Sequence, residues 1–351
     1  MRSLLAVVAL CLATPAVAQD APLFASDAPL DVVLTFDVDE VADDRSDKPP
    51  WYPATLAYAA PGGEAGALDV GVRARGFFRL HRAGCRLPPL RLKVGEGGAG
   101  GTVFEGQGKL KLVTHCRDRD DDEQRVLQEH LLYRAYGLLT DVSFRTRLAR
   151  VTYRDATGRR DDVTRFGFLI EDDEHVAARL GGQIVEGPRI HPEATDRDQM
   201  TLMSVFHYMV GNTDWGVSRL HNVRLVHRQA VADSLARVGA LGGSASALVA
   251  VPYDFDWAGL VDAPYATPDP QLGIRTVRDR KFLGFCREPH EIRAVLVRLR
   301  ARERDLYALF HESPHLDPDV AEESVAYLRS FFEQVATERG VDRAFGDCQG
   351  S

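Results

Sequence analysis

The chain has 351 residues, enough for one large domain or two smaller ones. Hydrophobic residues make up 45% and charged residues 27%, which is the balance of an ordinary folded protein and excludes the disordered and membrane-embedded classes. The net charge of −8 disfavours a general nucleic-acid-binding role, because such proteins neutralise phosphates with an excess of Lys and Arg.

The N-terminus has the pattern of a secretory signal peptide. Arg2 gives a positive start, residues 4–13 are apolar, and residues 16–18 form a small-residue cleavage signal. The apolar run is shorter than the roughly 20 residues that cross a bilayer, and no later segment approaches that length. We therefore expect residues 1–18 to be removed and the mature protein to be periplasmic or secreted, without a membrane span. An uncleaved anchor is the alternative.

The cysteines predict two disulfide bonds. After the signal peptide four remain, an even number in a chain sent to an oxidising compartment: Cys85, Cys116, Cys286 and Cys348. Three pairings are open, and proximity along the chain favours Cys85 with Cys116 and Cys286 with Cys348. A zinc site is the alternative, but no C-x-x-C pair supports it.

Residues 31–182 are predicted to form a strand-rich N-lobe. Alternating and β-branched residues predict strands at residues 32–36, 68–75, 90–94, 109–113, 143–153 and 164–170. The glycine-rich run at residues 95–101 joins two of them. Because it lacks a G-x-G-x-x-G pattern, we interpret it as a hairpin loop in preference to a phosphate-binding loop.

One helix interrupts these strands. The acidic residues 118–122 suit a helix N-terminus, and Gly137 suits its end. Between them Glu129 shares a stripe with apolar residues at spacings of three and four, so its side chain is predicted to point inward. A buried carboxylate needs a partner, and Arg125, one turn earlier on the same helix, is one candidate.

Residues 188–345 are predicted to form a helical C-lobe. Asp196, with Gln199 placed to complete a capping box, begins a helix that leads to the segment GNTDW at residues 211–215. The later predicted elements are strands at residues 222–227 and 248–251 with a small-residue insertion between them, and a last helix from Asp317-Pro318 to Gly340. Between them, Glu288-Pro289 begins one long predicted helix that carries Ile292, Val295, Leu299, Leu306 and Phe310.

The most informative segments are GNTDW, the Asn222 that follows it, and PYDFD at residues 252–256. If the two strands between these segments form a hairpin, the carboxylates and the amide come together. Oxygen ligands of this kind suit Mg²⁺ beside a chain of phosphates. The sequence therefore favours a phosphoryl-transfer site.

These motifs resemble those of atypical kinases of the spore-coat CotH type, and more distantly those of the HipA kinases. The resemblance spans about residues 70–260 and is carried in its first part by VRARG at residues 72–76, PPLRLK at residues 88–93 and KLKL at residues 109–112. It implies an α+β, two-lobed protein-kinase-like fold with a strand-rich N-lobe and a helical C-lobe.

The resemblance also implies catalytic and metal-binding roles. Asp214 would orient or deprotonate the acceptor hydroxyl. Asn222 and Asp254 would hold Mg²⁺ or Mn²⁺ against the phosphates of ATP, and Asp256 would be a second carboxylate ligand. The simpler interpretation is structural: Asp214 caps or stabilises the turn after its helix, Asn222 forms hydrogen bonds with backbone groups of the hairpin, and Asp254 and Asp256 lie in solvent at a strand end.

For the nucleotide, the resemblance points to a lysine on a strand. Lys111 would contact the phosphates and pair with the inward-facing Glu129. Lys93 is the rival lysine, and Lys109 shares the strand face of Lys111. A solvent-facing role for Lys111 is equally compatible with the alternating pattern of its strand.

The spacing departs from that of typical protein kinases. Asp214 precedes Asn222 by eight residues instead of five, and Asp256 stands where the DFG motif has glycine. The predicted function is a kinase that transfers phosphate from ATP to a hydroxyl on a protein or small molecule. An inactive pseudokinase acting as an envelope interaction or assembly module is the alternative. A metal-dependent glycosyltransferase using Asp254 and Asp256 is a third hypothesis.

Overall fold

The structure is a computed structural model that describes residues 22–95, 99–187, 190–229, 231 and 246–349. The predicted signal peptide lies outside these ranges. So do three residues of the glycine-rich run and most of the predicted small-residue insertion.

Within the described ranges, helices separate single strands or pairs of strands, and four helices follow the last strand. The strands are β1 Leu30–Phe36, β2 Tyr52–Ala59, β3 Ala65–Ala74, β4 Leu90–Val94, β5 Lys109–Val113, β6 Thr146–Asp155, β7 Val163–Ile170, β8 Gly182–Ile184, β9 Val223–Arg228 and β10 Leu248–Pro252. The helices are α1 Val38–Asp43, α2 Phe77–His81, α3 Asp120–Gly137, α4 Asp173–Arg179, α5 Arg197–Val210, α6 Pro289–Ala301, α7 Glu303–His311, α8 Pro318–Gln334 and α9 Glu338–Phe345.

The first seven strands close into a barrel in the order β1-β2-β3-β4-β5-β7-β6. The closing pair, β1 with β6, is parallel and places Leu30 opposite Ala149. Each strand thus has two neighbours, and the sheet has no free edge to pair with another chain. Along β1 every second side chain, including Leu30, Leu34 and Phe36, is fully buried, as the period of two in a strand requires.

The predicted two-lobed kinase-like fold, with a strand-rich N-lobe and a helical C-lobe, is wrong. The strand-rich part closes on itself into a seven-stranded mixed barrel, and the helical part contains a three-stranded sheet in the order β10-β9-β8. Local alternation identified most of the strands. It carries no information on the parallel pairing of β1 with β6, which joins segments more than 100 residues apart.

A second hydrophobic core lies outside the barrel, among α3, α5, the small sheet and the C-terminal helices. Its centre is an aromatic cluster in which the ring of Phe255 lies 4.9 Å from Tyr133 on α3 and 5.8 Å from Phe206 on α5. Phe255 is fully buried and stands between Asp254 and Asp256. This packing fixes the position of the PYDFD segment relative to both helices.

The helix predictions are confirmed at their beginnings more often than at their ends. Asp196 caps α5 and accepts a hydrogen bond from the Gln199 backbone N–H at 3.0 Å. The helix from Pro289 ends at Ala301, and Gly340 lies within α9 instead of ending α8. A Cβ on Gly340 would lie 1.9 Å from the Gln334 carbonyl oxygen, so this glycine permits the close approach of the two helices.

Both predicted disulfides are present. The Cα atoms of Cys85 and Cys116 are 4.5 Å apart, and those of Cys286 and Cys348 are 5.0 Å apart. The disulfides are compatible with a secreted or periplasmic protein. Within the described ranges, every helix is too short or too polar to cross a bilayer.

We expect the disulfide between Cys286 and Cys348 to stabilise the second core. It closes a loop of 62 residues, and replacing both cysteines by Ser should lower the free energy of unfolding by about 2–5 kcal/mol. Urea unfolding of the variant and the parent protein measures this difference. Peptide mapping without reduction checks the pairing, and a bond between Cys116 and Cys286 would contradict it.

Candidate active site

The turn after α5 places Asp214. The helix ends at Gly211, whose φ of 71° is in the left-handed region, and a Cβ there would lie 2.1 Å from the Tyr327 hydroxyl. The Gly211 carbonyl accepts a hydrogen bond from the Gly259 N–H at 3.0 Å. This bond ties the turn to the segment that follows Asp256. Only glycine fits at position 211, because its φ is left-handed and a Cβ would collide with Tyr327.

Asp214 has polar neighbours on both of its carboxylate oxygens. Its Oδ1 lies 2.7 Å from His221 Nε2, and its Oδ2 accepts a hydrogen bond from Asn222 Nδ2 at 2.9 Å. The same Asn222 nitrogen also donates to the Asp214 carbonyl at 2.7 Å. The three side chains form one unit, in which the Asn222 Oδ1 makes no hydrogen bond within the described ranges.

The β9–β10 hairpin brings Asn222 next to Asp254, as the sequence predicts. The Tyr253 N–H donates to the Asn222 carbonyl at 3.0 Å, and the Asp254 N–H donates to the Tyr133 hydroxyl at 2.7 Å. Asn222 and Asp254 have φ values of 52° and 64°. Positive φ is uncommon outside glycine and costs conformational energy, and such positions concentrate at functional sites.

These side chains meet in a cavity of about 310 Å³, here called the carboxylate pocket, which Asp214, Asn222, Asp254 and Asp256 all line. Burial raises the pKa of Asp254, and the charge of Asp256 raises it further. The nearby cations Arg75 and Arg79 oppose the shift. A bound cation at this pocket would favour the charged form of Asp254.

Arg79 on α2 joins three segments of the chain. Its guanidinium lies 2.8 Å from Asp256 Oδ2 and 3.2 Å from Glu129 Oε2. All three side chains are buried, and the Tyr265 hydroxyl donates to the same Asp256 oxygen at 2.9 Å. Burial raises the pKa of Glu129, and the charge of Arg79 opposes this rise. Glu129 therefore points inward as predicted.

The predicted pairing of Lys111 with Glu129 is wrong. Lys111 Nζ lies 2.5 Å from Asp173 Oδ1 at the start of α4, whereas the cation that contacts Glu129 is Arg79. Burial lowers the pKa of Lys111 to about 8, and the carboxylate of Asp173 opposes this shift. Lys93 is exposed on β4 and does not line the carboxylate pocket or the second cavity, which contains Lys111.

Lys111 lines a second cavity, of about 570 Å³, here called the basic pocket. Six Lys and Arg residues line it, and they are Lys48, Arg73, Arg75, Arg91, Lys111 and Arg224. Among the described residues Asp47 is its one acidic lining residue. The two pockets share Arg75, Gly76 and Phe77, so a cluster of carboxylates lies directly beside a cluster of cations.

The predicted metal ligands fit a divalent cation only in part. Within the described ranges no three His, Cys, Asp or Glu side chains are grouped to hold a metal ion. Asp256 is already paired with Arg79, which leaves Asp254 and the free Oδ1 of Asn222. Mg²⁺ is usually held by one or two carboxylates together with substrate phosphates, so a site of two protein ligands remains suitable for it.

Three site residues had no predicted role. His221 directly precedes Asn222 in the sequence, and its position seven residues after Asp214 is the one signal that could have predicted their contact. Arg75 belongs to the VRARG segment but had no predicted role of its own, and Arg79 lies outside every predicted motif. The position of Arg79 depends on α2, a five-residue helix that is too short to produce a detectable periodicity in the sequence.

A scan of this chain against protein-family models finds no match. A search of curated proteins finds no match either.

We expect Arg79 to be essential for stability. Replacement by Ala leaves Glu129 and Asp256 buried beside each other without a cation, which should lower the free energy of unfolding by about 3–5 kcal/mol. Arg82→Ala is the matched control at an exposed position and should change it by less than about 0.5 kcal/mol. Equal effects of the two substitutions in urea unfolding would contradict this role.

The pair of His221 and Asp214 predicts a pH effect. The hydrogen bond to Asp214 raises the pKa of His221 above its ordinary value of 6.5. The protonated ring therefore stabilises the fold fully below about pH 6.5, and this contribution is lost as the pH rises through the higher folded-state pKa.

NMR titration of the histidine ring protons measures this pKa directly. We expect Asp214→Asn to move the His221 pKa back towards 6.5. His115, whose pKa burial lowers to about 4, serves as the internal reference and should not titrate near neutral pH. A His221 pKa that Asp214→Asn leaves unchanged would exclude the pairing.

Proposed function

We propose that this protein transfers a phosphoryl group from ATP to a hydroxyl acceptor, with Mg²⁺ or Mn²⁺ as the cofactor. The observation that carries the proposal is the convergence of Asp214, Asn222 and Asp254 in one pocket, directly beside a pocket lined by cations. Catalysis of phosphoryl transfer consists mainly of positioning and of stabilising charge, and these two groups of side chains are suited to both tasks.

Each side chain has a role that follows from its contacts. Asp254 and the free Oδ1 of Asn222 are the ligands available for the cation, which when bound would neutralise charge on the phosphates. Arg75 lies between the two pockets and adds a positive charge close to Asp254.

The acceptor has a separate route to Asp214. A third cavity, of about 810 Å³, shares Asp214, His221 and Trp257 with the carboxylate pocket. An acceptor bound there would present its hydroxyl to the Asp214 carboxylate. His221, hydrogen-bonded to that carboxylate at 2.7 Å, is placed to hold it in position and to share the proton that the hydroxyl loses.

A binding module without transfer activity is the second candidate. It is favoured by two observations: Asp256 is paired with Arg79, and both oxygens of Asp214 already have polar neighbours. Such a protein would bind the phosphate ligand and act in the assembly of the cell envelope. The compartment proposed for either candidate is the periplasm or the outside of the cell.

The two candidates differ in a transfer assay. Mature protein is incubated with labelled ATP and Mn²⁺, and modified hydroxyls are identified by mass spectrometry. Asp214→Asn and Asp254→Asn should each lower the rate of transfer by about 100-fold or more, whereas Asp161→Asn, at an exposed position, should leave it unchanged. ATP binding without any transfer by the parent protein would favour the binding module.

A further inference from the structure

The basic pocket holds positively charged side chains close together, an arrangement that does not stabilise the fold. Arg73, Arg91 and Lys111 lie directly opposite one another on β3, β4 and β5. Like charges on directly opposite strand positions destabilise a sheet. Burial lowers the pKa of Arg91, and the charge of Arg75 lowers it further. The overall charge of the chain is −8, so this concentration of cations runs against the composition.

Some of these cations have protein partners, and others do not. Asp173 lies 2.5 Å from Lys111 and 2.8 Å from Arg224, and Arg73 lies over the Trp51 ring at 4.3 Å. Within the described ranges, Arg75 and Arg91 have no carboxylate in salt-bridge distance. The Arg91 Nε is also buried without a hydrogen-bond partner.

An unpartnered buried donor is costly, and a guanidinium pairs best with carboxylate or phosphate oxygens. An anionic ligand that reaches Arg91 and Arg75 together would supply the missing partners. Because Arg75 also lines the carboxylate pocket, a ligand extended between the two arginines would place its end near Asp254.

The walls of the basic pocket offer little to a nucleobase. Both Lys111 and Arg224 carry their charge over the Tyr253 ring, at 4.9 Å and 4.5 Å from its centre. Phe77 is 67% exposed, and its ring contacts His81 at the rim. Sites for organic ligands are usually lined predominantly by apolar and aromatic side chains, whereas six of the fifteen residues that line this cavity are Lys or Arg.

We propose that the basic pocket binds a linear oligophosphate by its phosphate chain alone, so that inorganic tripolyphosphate is a ligand and a phosphoryl donor for this protein. This inference rests on the proposed function, because it identifies the donor of the same site. The nucleoside of ATP contributes little to binding, and the phosphates carry the recognition.

The transfer from tripolyphosphate is balanced without a further reactant. The acceptor hydroxyl oxygen forms a bond to the terminal phosphorus, and the bond from that phosphorus to its bridging oxygen breaks. The bridging oxygen keeps the electron pair, and pyrophosphate leaves. The hydroxyl proton passes to the pair formed by Asp214 and His221.

Calorimetric titration of the mature protein, with both disulfides intact and Mg²⁺ present, tests the binding. Tripolyphosphate should bind no more than threefold more weakly than ATP, and adenosine should not bind. Arg91→Gln should weaken the binding of both phosphate ligands by about tenfold or more, and Arg75→Gln, at the position that follows β3, is a second variant. Arg150→Gln, exposed on β6 outside both pockets, should have no effect.

Thermal melting verifies that each variant is folded before titration. A tripolyphosphate affinity more than threefold below that of ATP, or binding that Arg91→Gln and Arg75→Gln leave unchanged, would overturn the inference. Phe77→Ala adds a control for the base: a loss of ATP affinity without a loss of tripolyphosphate affinity would show that the nucleoside is recognised at the rim, which also overturns it.

The transfer assay separates this inference from the proposed function. Tripolyphosphate should replace labelled ATP as the donor, and Asp254→Asn should abolish transfer from both. Transfer from ATP that tripolyphosphate neither supports nor inhibits would refute the inference and leave the proposed function standing. No transfer from either donor, with Arg91-dependent binding intact, would refute the proposed function and the donor role with it.

Discussion

The buried guanidinium of Arg79 is the contact on which the candidate site depends. It connects α2, which follows the barrel strand β3, to Glu129 on α3 and to Asp256 after β10. Removing two carboxylates and a cation from water is expensive, and their mutual attraction offsets this cost only while all three are in place. The network therefore holds the barrel and the second core in one fixed relation.

That relation places two kinds of chemistry next to each other. With Asp256 neutralised by Arg79, Asp254 is the carboxylate left to meet a cation, and Asn222 and Asp214 complete the pocket around it. The barrel strands supply the opposite charge through Arg73, Arg91 and Lys111, and Arg75, which follows β3, lines both pockets. A charged ligand extended across both pockets would satisfy groups that the protein leaves without partners, which is the physical basis of the proposed phosphoryl transfer.

The sequence predicted local features well and long-range pairing poorly. Capping by Asp196 and the two strands of the β9–β10 hairpin follow from residue types and spacing within short segments. Both disulfides follow from the even number of cysteines and their order along the chain. Barrel closure depends on the parallel pairing of β1 with β6, which no local pattern encodes. The prediction of the residue that pairs with Glu129 was wrong for the same reason, because Arg79 lies on a short helix 50 residues earlier in the chain.

Anomalous diffraction from crystals grown with Mn²⁺ and a non-hydrolysable ATP analogue tests the central claim most directly. We predict a manganese peak in the carboxylate pocket at about 2.1 Å from an oxygen of Asp254 and from the Asn222 Oδ1. The phosphates should extend past Arg75 towards Arg91. A manganese peak elsewhere, with Asp254 still uncoordinated, would contradict the assignment of this pocket as a phosphoryl-transfer site.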